Sequence, residues 1–148
     1  MLPPGHRLHI GSWQTLQPLA APVRVAVFVQ EQGIPASEEW DAADATACHA
    51  VITDASGTPV ATGRLLQPAP GVAQVGRMAV LASHRGHQLG AAVLRSLCAQ
   101  AQARGDTRVV LHAQRSAEPF YQRHGFVAEG APYDEVGIPH ITMSRPLP

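Results

Sequence analysis

The segment Val75-Gly76-Arg77-Met78-Ala79-Val80-Leu81-Ala82-Ser83-His84-Arg85-Gly86-His87-Gln88-Leu89-Gly90-Ala91 carries the first pattern in the chain that could do chemistry. An apolar strand feeding a glycine-containing loop and then a helix gathers backbone N–H groups and the positive end of a helix dipole at one point. Such a point binds anions. Gly86, Gly90 and Ala91 are small enough for the main chain to approach a ligand closely, and Arg85 adds a planar fork matched to phosphate oxygens. A helix-start turn without a ligand has similar spacing, so this segment alone leaves both readings open. A second segment, Phe120-Tyr121-Gln122-Arg123-His124-Gly125-Phe126-Val127, places a phenol on a short helix that stops at glycine. By residue type alone Tyr121 is a core aromatic.

Other residue types that could do chemistry do not assemble into motifs. The chain has eight histidines, including His84-x-x-His87, but no Cys or acidic residue stands at the spacing that would complete a tetrahedral zinc site. No metal is expected. Cys48 and Cys98 lie in separate apolar segments outside any CxxC pattern and read as two reduced core thiols. Lys is absent, so every fixed positive side chain is an Arg, and the net charge is zero. Residues 1–74 hold three Arg against six acidic residues, and residues 75–148 hold eight Arg against five. The C-terminal half therefore suits an anion and the N-terminal half a cation. The Arg residues are dispersed and aromatics are only 5% of the chain, so nucleic acid is not an expected partner. Glu31, Glu38, Glu39, Asp41 and Asp44 form an acidic run that reads as a solvated loop, with attraction of a cationic amine as the alternative.

The elements that must position these residues follow from periodicity. Leu16, Leu19, Ala20, Val23, Val27 and Phe28 recur at helical spacing, predicting a helix over roughly 15–30 despite Pro18 and Pro22, ending near Gly33-Ile34-Pro35. Residues 31–44 have no period and are expected as loop. A hairpin follows, with strands at Cys48–Thr53 and Val60–Leu66 around the turn Asp54-Ala55-Ser56-Gly57. Val72–Leu81 is a third strand. Leu89, Val93, Leu97, Cys98 and Ala101 share one helical face that stops at Gly105. Thr107–Ala113 is a β-branched strand, 116–124 a short helix, and Phe126–Glu129 and Ile141–Arg145 the last strands.

These elements bound the class. A chain of 148 residues buries roughly 70% of its unfolded surface and needs no disulfide or structural metal to fold. One domain spanning 1–148 is expected. No stretch approaches the roughly 20 apolar residues that cross a bilayer, so no membrane partner is expected. Met1-Leu2-Pro3-Pro4-Gly5-His6-Arg7 lacks the features of a secretory signal, and a cytoplasmic location is expected.

Taken together, the 75–91 and 120–127 segments, with the strand Val109–Ala113 between them, resemble motifs A and B of the GNAT N-acetyltransferase family. The resemblance covers roughly residues 20–145. Val27-Phe28-Val29-Gln30-Glu31-Gln32-Gly33-Ile34-Pro35 and Gly137-Ile138-Pro139-His140-Ile141-Thr142-Met143 are also similar to its small bacterial ElaA-like branch. The resemblance implies a mixed α/β fold with a central, mostly antiparallel twisted sheet flanked by helices. It also implies an enzyme that transfers an acetyl group from acetyl-CoA to an amine of a small molecule or peptide, by direct attack in a ternary complex. Met78, Ala79 and Val80 would lie along the pantetheine arm, and Arg85, Gly86, His87, Gln88, Leu89, Gly90 and Ala91 around the pyrophosphate. The family pattern has Gly where this chain has Gln88, which puts acetyl-CoA affinity in question because a Cβ narrows the approach. A family Asn near the end of the next strand is replaced here by Gln114 or is missing. Tyr121 would be the general acid and the Val80 N–H the oxyanion donor. Glu31, Glu135 and His140 are the candidates for the general base. Arg77, Arg115 and Arg123 are candidates for the adenosine 3′-phosphate, or surface charges.

Two rival readings remain at this stage. A non-catalytic acyl-CoA sensor or interaction domain is compatible with a loop altered at Gln88, whereas Tyr121 argues for turnover. A metal-dependent hydrolase would have to draw on the histidines. A homodimer is compatible with the resemblance, but no heptad or apolar stripe specifies one.

Overall fold

A computed structural model describes residues 2–148. Its seven-stranded sheet runs β1(Arg7–Ser12), β2(Cys48–Thr53), β3(Pro59–Ala69), β4(Val72–Val80), β5(Arg108–Gln114), β7(Ile138–Pro146), β6(Val127–Glu135) across the molecule. All neighbours are antiparallel except β4 and β5, which are parallel. Helix α1(Trp13–Arg24) covers one face of β2 and β3, and α3(Leu89–Ala103) covers the other. The expected mixed α/β, mostly antiparallel architecture is what the chain adopts.

The local reasons are legible in the side chains. Val93, Leu94, Leu97 and Ala101 place the buried stripe of α3 against Leu65, Val75 and Leu111 of the sheet. The helix sits close because Gly63 offers no side chain: a Cβ there would come within 2.8 Å of both Met78 Sδ and Val93 Cγ1. Ser12 caps α1 by accepting from the Thr15 N–H at 3.3 Å, and Leu16, Ala20 and Val23 face the sheet.

The predicted helix over 15–30 is corrected to two pieces. After Arg24 the chain widens into π-type turns over Val25–Glu31, closed by the Gln32 N–H bond to the Val27 carbonyl at 3.0 Å. Residues 31–44, expected as loop, contain α2(Ala36–Glu39) and a single tight turn at Ala42–Ala45. Strand β1 was not expected at all, and β3, β6 and β7 run longer than their apolar segments.

One irregularity of the sheet matters for function. Arg64 opposes Gly76 while Thr62 opposes Ala79, so β4 carries an extra residue there, and Arg77 takes a left-handed backbone with φ +50°. The β4–β5 pairing runs only from Val72/Arg108 to Val75/Leu111. Beyond it the strands part, and among the described residues Ala79 and Val80 pair with β3 alone.

Candidate functional site

The parting of β4 from β5 opens the site. A cavity of about 950 Å³ lies there, lined among others by Phe28, Glu31, Gln32, Met78, Ala79, Val80, Arg85, Gln114, Tyr121, Glu135 and His140. A groove of about 520 Å³ continues from it along His84, Gly86, Gln88, Leu89, Ala91, Arg123 and His124. The two share Val80, Arg85, Gly90 and Phe120, so they form one bent cleft. Every residue proposed for the site from the sequence lines one part or the other except His87 and Arg115, which are exposed and line neither.

The direction of the Val80 N–H follows from strand geometry. Leu81 donates to the Val60 carbonyl on β3 at 2.9 Å, and backbone polar groups of successive strand residues point to opposite edges. The N–H and C=O of Val80 therefore face the open cleft. Its carbonyl is indeed met from that side, by Arg85 Nε–H at 3.1 Å. On the groove side, the first amides of α3 have no side-chain cap: Gln88 occupies the capping position with φ +62°, ψ +24° and makes no capping bond. This is the left-handed conformation that a glycine would adopt freely, so Gln88 keeps the course expected of a glycine there at some backbone cost.

Tyr121 is 8% exposed, packs edge-on against Phe120 and Phe126, and belongs to the core as well as to the cavity wall. Burial pushes its phenol up to about 12, so it keeps its proton at neutral pH. The three base candidates have different surroundings. Glu31 accepts both Arg85 Nη groups at 2.7 Å, and those bonds hold its carboxyl below the usual range, making it a poorer proton acceptor. Glu135 is exposed, 3.8 Å from His140 Nε2. His140 is buried against Tyr133, and its Nδ1 lies 2.7 Å from the Ile138 carbonyl. A carbonyl can only accept, so that ring nitrogen carries a proton, and in the neutral ring Nε2 presents a lone pair.

For Glu39, Asp41 and Asp44 the acidic run is corrected from a solvated loop to a charge network in which Glu39 and Asp44 are buried, whereas Glu38 is exposed as expected. Arg24, 1% exposed and flanked by Trp13 and Trp40, donates to Glu39 at 2.6 Å and to Asp44 at 2.8 Å. Arg64 bridges Asp41 at 2.7 Å and Asp44 at 2.9 Å. Arg77, a candidate for the adenosine phosphate, instead reaches the Glu39 carbonyl at 3.0 Å and Asp41 at 3.4 Å. Three arginines and three carboxylates thus pair with one another and staple residues 39–44 to the sheet, leaving the buried Arg64 Nε–H without a partner among the described residues. Arg115 pairs with Glu118 at 2.9 Å, whereas Arg123 lines the groove. The fork of Arg85, expected to be free for phosphate, is directed at Glu31. Sequence reasoning missed Gln32, whose side chain accepts from Gln114 at 2.8 Å across the cleft; no local pattern links residues so far apart. Among the described residues no group of three or more His, Cys, Asp or Glu is placed to hold a metal. Nor is any helix long and apolar enough to cross a membrane. Cys48 and Cys98 are unpaired, and burial raises both thiols.

Residues 18–147 match the family described as the acetyltransferase (GNAT) domain. The chain belongs to the GNAT family. It is 36% identical over 124 residues to the uncharacterized N-acetyltransferase YjcF of Bacillus subtilis, covering 83% of this chain and 87% of that protein. It resembles the crystal structure of an acyl-CoA N-acyltransferase from Pseudomonas aeruginosa at 32% identity and TM-score 0.83, covering 95% and 99% of the two chains. It also resembles Escherichia coli ElaA at 27% identity and TM-score 0.84, with the same coverage. The chain is therefore a GNAT acyltransferase, working with an acyl-CoA and an acceptor. The bent cleft fits that donor: an uncapped helix start with open main chain at Gly86 in one arm, and the unpaired edge of β4 in the other.

Proposed function

We propose that the whole chain, 1–148, is one N-acetyltransferase domain that transfers an acetyl group from acetyl-CoA to an amine of a small molecule or peptide, by direct attack while both are bound. The single observation that carries this reading is the meeting, in one cleft, of the uncapped α3 amides, the free Val80 N–H and the protonated, cavity-facing Tyr121. Acetyl-CoA supplies the acyl group already activated as a thioester.

The residues of the chain do the rest. Amides from Gly86 to Ala91 hold negative charge at the helix start. Met78, Ala79 and Val80 offer an unpaired strand edge for an extended ligand arm. Val80 N–H donates to the oxygen on which charge develops, and Tyr121 gives its proton to the departing thiolate. Among the base candidates, the Nε2 lone pair of His140 supports a role as proton acceptor for the amine. Glu31 is tied to Arg85, and Glu135 is open to solvent. Holding amine and thioester together accounts for much of the acceleration, since well-oriented pairs gain roughly 7–11 kcal/mol over free encounter.

A titration of the purified protein with acetyl-CoA, followed by calorimetry, tests the donor half. Saturable one-site binding, followed by amine-dependent CoA release in a panel of amines, is the expected result. Absence of binding up to millimolar ligand overturns the reading.

A further inference from the structure

The contact that took Arg85 away from its expected role has a geometry of its own. Its two Nη groups each meet one oxygen of Glu31 at 2.7 Å, and its Nε–H meets the Val80 carbonyl at 3.1 Å. Val80 is the last residue of β4, beyond the point where β5 leaves. Its carbonyl faces the side on which no strand remains to pair it, while the next peptide N–H, that of Leu81, is held from the β3 side by the Val60 carbonyl at 2.9 Å. The Val80–Leu81 peptide is thus gripped from both edges, by a strand on one side and by the guanidinium on the other. Arg85 stands in for the missing strand.

We propose that Glu31 is a positioning residue: by clamping Arg85 it fixes the Val80–Leu81 peptide and so limits rotation about the Val80 Cα, which sets the direction in which the Val80 N–H, carried by the adjoining Ala79–Val80 peptide paired with β3, meets the oxygen that gains charge. The proposal rests on the reading above that this N–H is the oxyanion donor. An arginine carries several rotatable bonds, and an unclamped side chain would sample many rotamers and hold the carbonyl only part of the time. A carboxylate engaged in two parallel bonds selects the one rotamer whose Nε–H reaches Val80. Glu31 is placed for this by the wide turns of Val25–Glu31, which end at the cleft, and by the neighbouring Gln32–Gln114 bond, which anchors the same backbone to the opposite wall. The side chains of Glu31 and Arg85 are 40% and 44% exposed, so the pair contributes little to global stability. Its removal is expected to leave the fold intact and to act on the cleft.

The role differs from the two earlier expectations for these residues, and the three have different signatures. A general base at Glu31 would leave the Val80 peptide unaltered on substitution. A phosphate ligand at Arg85 would alter affinity at the helix start.

The experiment is NMR of the full-length ¹³C,¹⁵N-labelled protein as wild type, Glu31→Ala and Arg85→Lys, alone and titrated with acetyl-CoA. Expected without ligand are an upfield move of the Val80 carbonyl carbon in both variants, as its donor is lost, and broadening of the Val80 amide. Resonances of the α3 core at Val93 and Leu97 should stay in place. With acetyl-CoA, the amides of Gly86–Ala91 should respond with a midpoint within about twofold of wild type, well under the tenfold that marks a lost contact. The ligand-induced shift of the Val80 amide should shrink in both variants. A Val80 carbonyl and amide that are the same in all three proteins would overturn the proposal. So would a midpoint raised more than about tenfold by Arg85→Lys alone with Val80 unmoved, which would make Arg85 a phosphate ligand. If acetyl-CoA moves no resonance of the wild type, the proposed function fails while the ligand-free comparison still decides whether Glu31 positions Val80.

Discussion

Replacing Gln88 by glycine isolates the cost of building this anion loop without one. Gln88 is exposed, makes no side-chain hydrogen bond among the described residues, and holds φ +62° at the start of α3. A non-glycine residue in that region costs about 1–2 kcal/mol through the clash of Cβ with the backbone. Glycine removes this strain but gives the unfolded chain more freedom, an offset of about 0.5–1 kcal/mol. Taking the midpoint of each range, the net gain expected for Gln88→Gly is about 0.75 kcal/mol. For a chain of this length that raises Tm by about 1–4 °C. Gln88→Ala keeps Cβ and the strain, and should stay within about 0.5 kcal/mol of wild type. Paired thermal and urea unfolding of the two variants measures the difference. The same variants address affinity: because the loop already runs as a glycine would direct it, the acetyl-CoA dissociation constant of Gln88→Gly should lie within about threefold of wild type. A Gln88→Gly protein no more stable than Gln88→Ala would refute the strain argument. A more than tenfold gain in affinity would show that the side chain obstructs the loop.

The buried network makes two further predictions. Arg24→Leu leaves Glu39 and Asp44 buried without their principal partner, and should destabilise by about 3–5 kcal/mol in chemical denaturation; a loss below about 1 kcal/mol would contradict the burial of the pair. Acid should act through the same residues. Hydrogen bonding from Arg64 lowers Asp41 to about 2, and although burial opposes it, bonding to Arg24 and Arg64 leaves Asp44 lowered too. A carboxyl depressed by folding adds stability above its unfolded value near 4 and loses it as pH falls through the folded value. Stability should therefore drop between about pH 4 and 2, and Asp41→Asn should flatten that slope in a Tm-against-pH series; an unchanged slope would remove Asp41 from the network.

How far the sequence reveals the molecule depends on whether each signal is local. Helix α3 is legible because Leu89, Val93, Leu97 and Ala101 repeat on one face, and β5 because Val109, Val110 and Leu111 are a buried run between turn residues. The cleft residues Val80, Gln88 and Tyr121 are legible through the resemblance of the 75–91 and 120–127 segments to GNAT motifs, not through residue type or period. Strand β1 escapes because its side chains alternate weakly on an exposed edge, and the part of β6 beyond Glu129 because all nine residues of that strand are exposed and show no apolar period. The acidic run misleads for a different reason. Its fate is set by Arg24, Arg64 and Arg77, which come from three other elements, and a charge is assigned to solvent until its distant partner is known. The Arg85–Glu31 clamp is invisible for the same reason, and it changes what each residue can be asked to do.

The central claim is that Tyr121 delivers a proton in the acetyl transfer rather than only filling the core. The most direct measurement compares amine-dependent CoA release by wild type and Tyr121→Phe, with acetyl-CoA affinity determined on the same samples. Phenylalanine preserves the packing on Phe120 and Phe126 and removes only the hydroxyl. The account predicts a fall in kcat of about 10²- to 10⁴-fold, with acetyl-CoA affinity nearly unchanged. An unchanged kcat in a variant that binds acetyl-CoA normally would contradict it.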